Sequence, residues 1–170
     1  MAVVEPVIEA LNRGGVRYVI VGGLATVLHG FPRLTADIDL IVDLAPAEAR
    51  RAIDVLVQLG FRPRPPVDPF DFADASTRAR WIREKGMRVF SLHDPSHPMR
   101  ELDIFAEHPI DFESLWGRSL LVPLGTTTAR IVSIQDLIAL KRLADRPEDR
   151  RDIAALEEIA RRKGTPDAQG

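Results

Sequence analysis

Apolar residues recur along this chain in two rhythms, one helical and one alternating, and these separate its elements. Residues 3–12 carry Val3, Val4, Val7, Ile8 and Leu11 at helical spacing, and Gly14-Gly15 ends the run. Residues 17–21 (RYVIV) form a short β-branched stretch stopped by Gly22-Gly23. A short helix over 24–29, closed by Gly30 and Pro32, precedes a strand over 37–43 (DIDLIVD). An amphipathic helix over 46–59 follows, with Pro46 in its first turn and Gly60 beyond its end. The proline-rich stretch 62–71 predicts a loop. Residues 74–85 predict a helix, 87–92 and 101–106 strands, and 110–118 a short helix. Short strands over 120–122 and 129–132 flank a Gly125 turn. Ser133 caps a helix, Ile134–Ala144, and Pro147 opens the last one. This order predicts an α/β (α+β) fold, a mixed sheet with a helical C-terminal segment.

Composition narrows the class. A length of 170 residues with 45% apolar and 28% charged positions supports one domain with a real core. We place it over 1–163, with a core over 1–132, C-terminal helices over 133–163, and a polar tail over 164–170 expected to fray. A net charge of −2 creates no global field for nucleic acid or membrane. The absence of cysteine excludes disulfides, thiolate metal sites and thiol catalysis. No apolar run approaches the ~20 residues that span a bilayer, and residues 1–12 lack a signal-peptide pattern. The expectation is a cytoplasmic protein.

Three aspartates stand where strands disfavour them. Asp37 and Asp39 flank Ile38; with a two-residue repeat, both project from one strand face, ~7 Å apart. Asp103 has the same setting between Leu102 and Ile104. If its strand neighbours the first, three carboxylates converge, and they stay ionised together only with cations between them. Hard oxygen donors favour Mg2+. Upstream, Gly22-Gly23 joins a strand directly to a helix. That geometry lets backbone approach a phosphate, although a plain tight turn uses the same glycines. Together these features describe a site for a nucleoside triphosphate and divalent metal.

The ordered set Val21-Gly22-Gly23, thirteen residues, Asp37-Ile38-Asp39-Leu40, then Asp103, resembles the polymerase-β-like nucleotidyltransferase superfamily. VGGLATVLHGFPRLTADIDLIV looks most like the small bacterial AbiEii-like and minimal (MNT-type) nucleotidyltransferases, and SIQDLIALKRLADRPEDRRDIAAL resembles their helical segment. The resemblance implies Mg2+ or Mn2+ held by Asp37, Asp39 and Asp103, with Asp103 also helping to deprotonate the acceptor. It implies that Gly22 and Gly23 line the triphosphate and that Lys141 reaches the nucleotide. Many members carry Ser where this chain has Gly23; the Thr35 hydroxyl is a candidate substitute. The implied reaction moves a nucleoside monophosphate from an NTP to a hydroxyl on RNA such as tRNA, on protein or on a small molecule. A toxin role with an antitoxin partner, and a homodimer that completes the site, belong to the same expectation. The alternative is a non-catalytic partner-binding module on this fold.

Other features have plainer readings. His93, Asp94 and His97 lie in a proline-rich turn between strands (HDPSHP), not on one helical face as zinc would need, and His108 lies beyond it. Arg78, Arg80, Arg83, Lys85 and Arg88 form a local basic patch, read as a solvated helix face with Trp81 packed inward. Arg33 reads as a solvated loop residue. Arg142, Arg146, Asp149, Arg150 and Asp152 read as the charged face of two surface helices.

Overall fold

The computed structural model describes residues 4–35 and 37–164. Val3, assigned to the first helix, and the tail from 165 onward lie outside the described residues. Helix α1 (Glu5–Arg13) buries Val7, Ile8 and Leu11. Strand β1 (Tyr18–Val21) is buried along its length, as a central strand must be, and passes without a loop into α2 (Gly22–Leu28). Strand β2 (Asp37–Val42) and helix α3 (Pro46–Gln58) follow, and α3 buries Ala49, Ala52, Ile53 and Leu56.

The stretch expected to be a loop contains structure. Strand β3 (Arg62–Pro63) pairs antiparallel with β4 (Val89–Asp94). Its proline is tolerated because an edge strand has one side free of the ladder. A 3-10 turn, Pro69–Ala73, is capped by Asp68, whose carboxylate accepts from the Phe70 N–H. Helix α4 (Ala75–Lys85) starts on the Asp74 cap and stops at Gly86, whose φ of +62° is left-handed. Strand β4 and β5 (His97–Phe105) extend further into their turn than expected. The Asp94 carboxylate accepts from the Ser96 N–H and tightens that turn.

Helix α5 (Phe112–Arg118) is capped by Asp111, and strands β6 (Leu120–Leu124) and β7 (Thr127–Ile131) form a hairpin around Gly125. Helix α6 (Ile134–Ala144) is capped by Ser133, and α7 (Pro147–Gly164) packs on it.

The seven strands form one mixed sheet in the order β3-β4-β5-β2-β1-β7-β6. Strand β1 runs antiparallel to β2 and parallel to β7, while β2 runs parallel to β5. Burial alternates on β4 and β5. Phe90, Leu92, Leu102 and Ile104 enter the core, where Phe90 stacks against Phe72 and Trp81. Ser91, His93, Glu101 and Asp103 lie on the opposite, half-open face. That half-open face continues onto β2, where Asp37 and Asp39 lie.

Candidate active site

The parallel register of β2 and β5 sets Asp39 directly beside Asp103 and Asp37 beside Glu101. Neighbouring strands lie ~4.8 Å apart, so four carboxylates share one patch of the sheet. Ile38, Leu40, Leu102 and Ile104 anchor the arrangement from the buried face. Glu101 was not singled out from sequence, although it stands two residues before Asp103 just as Asp37 stands two before Asp39. An ion pair with Arg64, just after β3, neutralises it. Among the described residues Asp37, Asp39 and Asp103 form no ion pair, and these are the three that the sequence pattern picked out.

Burial is the largest influence on Asp39 and pushes its pKa up to about 6, with the charges of Asp103 and then Asp37 adding to the shift. Arg146 and a hydrogen bond from the Gly23 N–H oppose it. Asp37 is also raised, first by burial and then by Glu101 and Asp103, against the pull of Arg64. Among the described residues no three acidic or histidine side chains converge tightly enough to form a ready-made metal cluster. The donors are nevertheless of the right kind. They are hard oxygens on one face, and the upward pKa shifts of Asp37 and Asp39 are of the kind that a bound cation would oppose.

The glycines are required by what surrounds them. Gly22 adopts φ +65°, and a Cβ there would land on the Asp39 carboxylate. A Cβ at Gly23 would lie 2.7 Å from Thr35 Oγ1 and 3.5 Å from Arg33 Cζ. The Thr35 hydroxyl thus occupies the neighbourhood that a serine at position 23 would enter. Thr26 ties this turn down by donating to the Gly22 carbonyl at 3.0 Å.

Lys141 is placed elsewhere than in the open. It is 5% exposed and donates to Asp152 at 2.7 Å and Asp149 at 3.1 Å. Both aspartates, read from sequence as part of a solvated face, are buried. Packing α6 between α2 and α7 removes the water on which that reading relied. Arg33 is no free loop arginine either; it forms an ion pair with Asp152. Arg78, assigned to a solvated face, turns inward to the Phe72 and Leu44 carbonyls, while Trp81 packs inward as expected. His93, Asp94 and His97 do lie around a hairpin turn, with His97 bonded to Asp94, and His108 bonds the Val42 carbonyl.

A mixed sheet whose central strand breaks at Gly-Gly into a helix, with an Asp-x-Asp strand beside a third aspartate, defines the nucleotidyltransferase class of enzyme. The family described as "Nucleotidyltransferase of unknown function (DUF6036)" matches residues 3–162, and the chain belongs to it. No curated protein sequence matches the chain significantly. Among solved structures it is similar to the lincosamide antibiotic adenylyltransferase LnuA bound to lincomycin, with TM-score 0.61 and 16% identity over 93% of this chain and 96% of that one. It is also similar to the antibiotic-resistance factor ANT(2'')-Ia, with TM-score 0.59 and 16% identity over 96% of this chain and 83% of the other. These likenesses establish the shared fold. No helix among the described residues is long and apolar enough to cross a membrane.

Proposed function

We propose that the open face of β2 and β5 is where this enzyme moves a nucleoside monophosphate from an NTP to a hydroxyl acceptor. The observation that carries the reading is the register pairing of Asp39 with Asp103, with Asp37 on the same face. In the reaction an acceptor oxygen bonds to the α-phosphorus, the bond to pyrophosphate breaks, and the hydroxyl proton is lost. Asp37, Asp39 and Asp103 would hold Mg2+ or Mn2+, which when bound neutralises triphosphate charge and lowers the acceptor hydroxyl's pKa. Asp103 would take that proton. Gly22 and Gly23 present bare backbone to the phosphates, and Thr35 supplies the hydroxyl that Gly23 lacks.

The acceptor we favour is a small hydroxylated molecule, because the fold likeness to LnuA spans nearly the whole of both chains. An RNA acceptor is the second reading. It rests on the AbiEii-like and MNT-type resemblance of residues 21–42 and carries with it the toxin role, the antitoxin partner and the homodimer.

Label transfer tests the proposal. Each α-labelled NTP is incubated with Mg2+ and, separately, with small-molecule extract, total RNA and cell protein, beside Asp39→Asn. Label entering the small-molecule pool with wild type alone is expected. Transfer into RNA selects the second reading, and absence of both transfer and pyrophosphate release with every pool refutes the proposed site.

A further inference from the structure

Four charged side chains bridge the C-terminal helices to the Gly-Gly turn. Lys141 of α6 meets Asp149 and Asp152 of α7, and Asp152 uses the same Oδ2 for Lys141 and for Arg33. Lys141, Asp149 and Asp152 are 5%, 5% and 3% exposed. The buried lysine ammonium is therefore engaged by two carboxylates inside the protein. Arg33 differs. Its Nη1 is committed to Asp152 and its Nε to the Leu34 carbonyl, and its guanidinium carbon lies 3.5 Å from where a Gly23 Cβ would stand. Its side chain keeps 28% exposure, and among the described residues its Nη2 has no hydrogen-bond partner. A guanidinium can serve two anions at once through its fork, which an ammonium sealed between two carboxylates cannot.

We propose that Arg33 is a triphosphate-binding residue of this site, and that Asp152, itself fixed by Lys141, is the positioning residue that aims it at Gly23. The proposal rests on the assignment of the Gly22-Gly23 and aspartate face as the nucleotide site. It gives Lys141 a role without nucleotide contact: it holds the buried Asp152 carboxylate in the place from which it grips Arg33.

The assay is calorimetric binding of inorganic tripolyphosphate in the presence of Mg2+, a probe that needs no knowledge of the base. The variants are Arg33→Gln, Asp152→Asn and the two combined, each checked for folding by circular dichroism. Simple charge accounting says that Asp152→Asn, by removing an anion near the site, tightens the binding of a polyanion. The positioning role says the opposite. Arg33→Gln is expected to weaken binding about tenfold or more, the worth of one charge-assisted contact. Asp152→Asn is expected to weaken it severalfold, and the double variant to bind no worse than Arg33→Gln. Unchanged or tighter binding by Asp152→Asn, or additive losses in the double variant, would overturn the proposal. Should Asp152→Asn fail to fold, Arg33→Lys carries the test: it keeps the charge but loses the fork, and full affinity in that variant overturns the proposal. Failure of the wild type itself to bind would refute the nucleotide site as well. Wild-type binding with insensitive variants refutes only the role of Arg33 and Asp152.

Discussion

Replacing Asp39 by Asn should make the metal-free protein more stable while removing its activity. The amide keeps the shape of the carboxylate and an oxygen that accepts from the Gly23 N–H, but it carries no charge toward Asp103 and Asp37. At neutral pH the wild type bears the strain that raises the Asp39 pKa from 3.8 to about 6. At about 1.4 kcal/mol per pKa unit that strain is about 3 kcal/mol. An amide also loses hydration on burial, so a net gain of about 1–2 kcal/mol is expected, or ~2–8 °C in melting temperature for a domain of this size. The sign follows from linkage. A carboxyl held above its unfolded pKa favours the folded state below 3.8, and that contribution is lost as pH rises to about 6. The strain at Asp39 should therefore be full, about 3 kcal/mol, near pH ~7.5 and about 1 kcal/mol near pH ~4.5, so the variant's advantage should vanish or reverse at the lower pH. Thermal melts of both proteins in chelator at the two pH values read this directly. Using the difference cancels the titrating groups that are not coupled to Asp39. Added Mg2+ should then raise the melting temperature of the wild type but not of Asp39→Asn. A variant that is less stable than wild type at neutral pH, or a difference that does not shrink in acid, would refute the electrostatic reading of the site.

Three further outcomes are expected. Gly22→Ala places a Cβ on the Asp39 carboxylate at φ +65°, so label transfer should be abolished and chemical denaturation should show a loss of about 1–3 kcal/mol. Lys141→Met leaves the buried Asp149 and Asp152 without the cation they share, and urea titration should register a loss of about 3–5 kcal/mol. His29 bonds the Val132 carbonyl at 2.8 Å, and burial is the main cause of its lowered pKa. It therefore contributes stability that is present above the ordinary value of 6.5 and lost as pH falls below it. His29→Gln should flatten that limb of the stability–pH curve; an unchanged slope would show that another group sets it.

The aspartate face was legible because two local facts suffice for it. Alternation puts Asp37 with Asp39, and the apolar residues between them can only turn to the core. That Asp103 joins them depends on β5 pairing with β2, which the same apolar alternation around Leu102 and Ile104 allows but does not dictate. The partner of Glu101 was out of reach, because Arg64 directly follows a two-residue edge strand too short and too rich in proline to read as a strand.

The buried charges were misread for a related reason. Asp149 and Asp152 fit a surface helix by every local criterion, since the spacing of charges along α6 and α7 is what a solvated pair of helices shows. Only the packing of α6 against both α2 and α7 converts that face into an interior. A buried lysine with two carboxylates is then a joint between the helical segment and the Gly-Gly turn, 119 residues apart in sequence at the Arg33–Asp152 pair. Joints of this kind stabilise little in themselves, because desolvation offsets most of the attraction. Their effect is on geometry: the pairing admits few alternative placements of Arg33. The C-terminal helices act on the site through the loop that precedes β2, and for that reason a lysine that resembles a nucleotide ligand in sequence can sit wholly inside the protein.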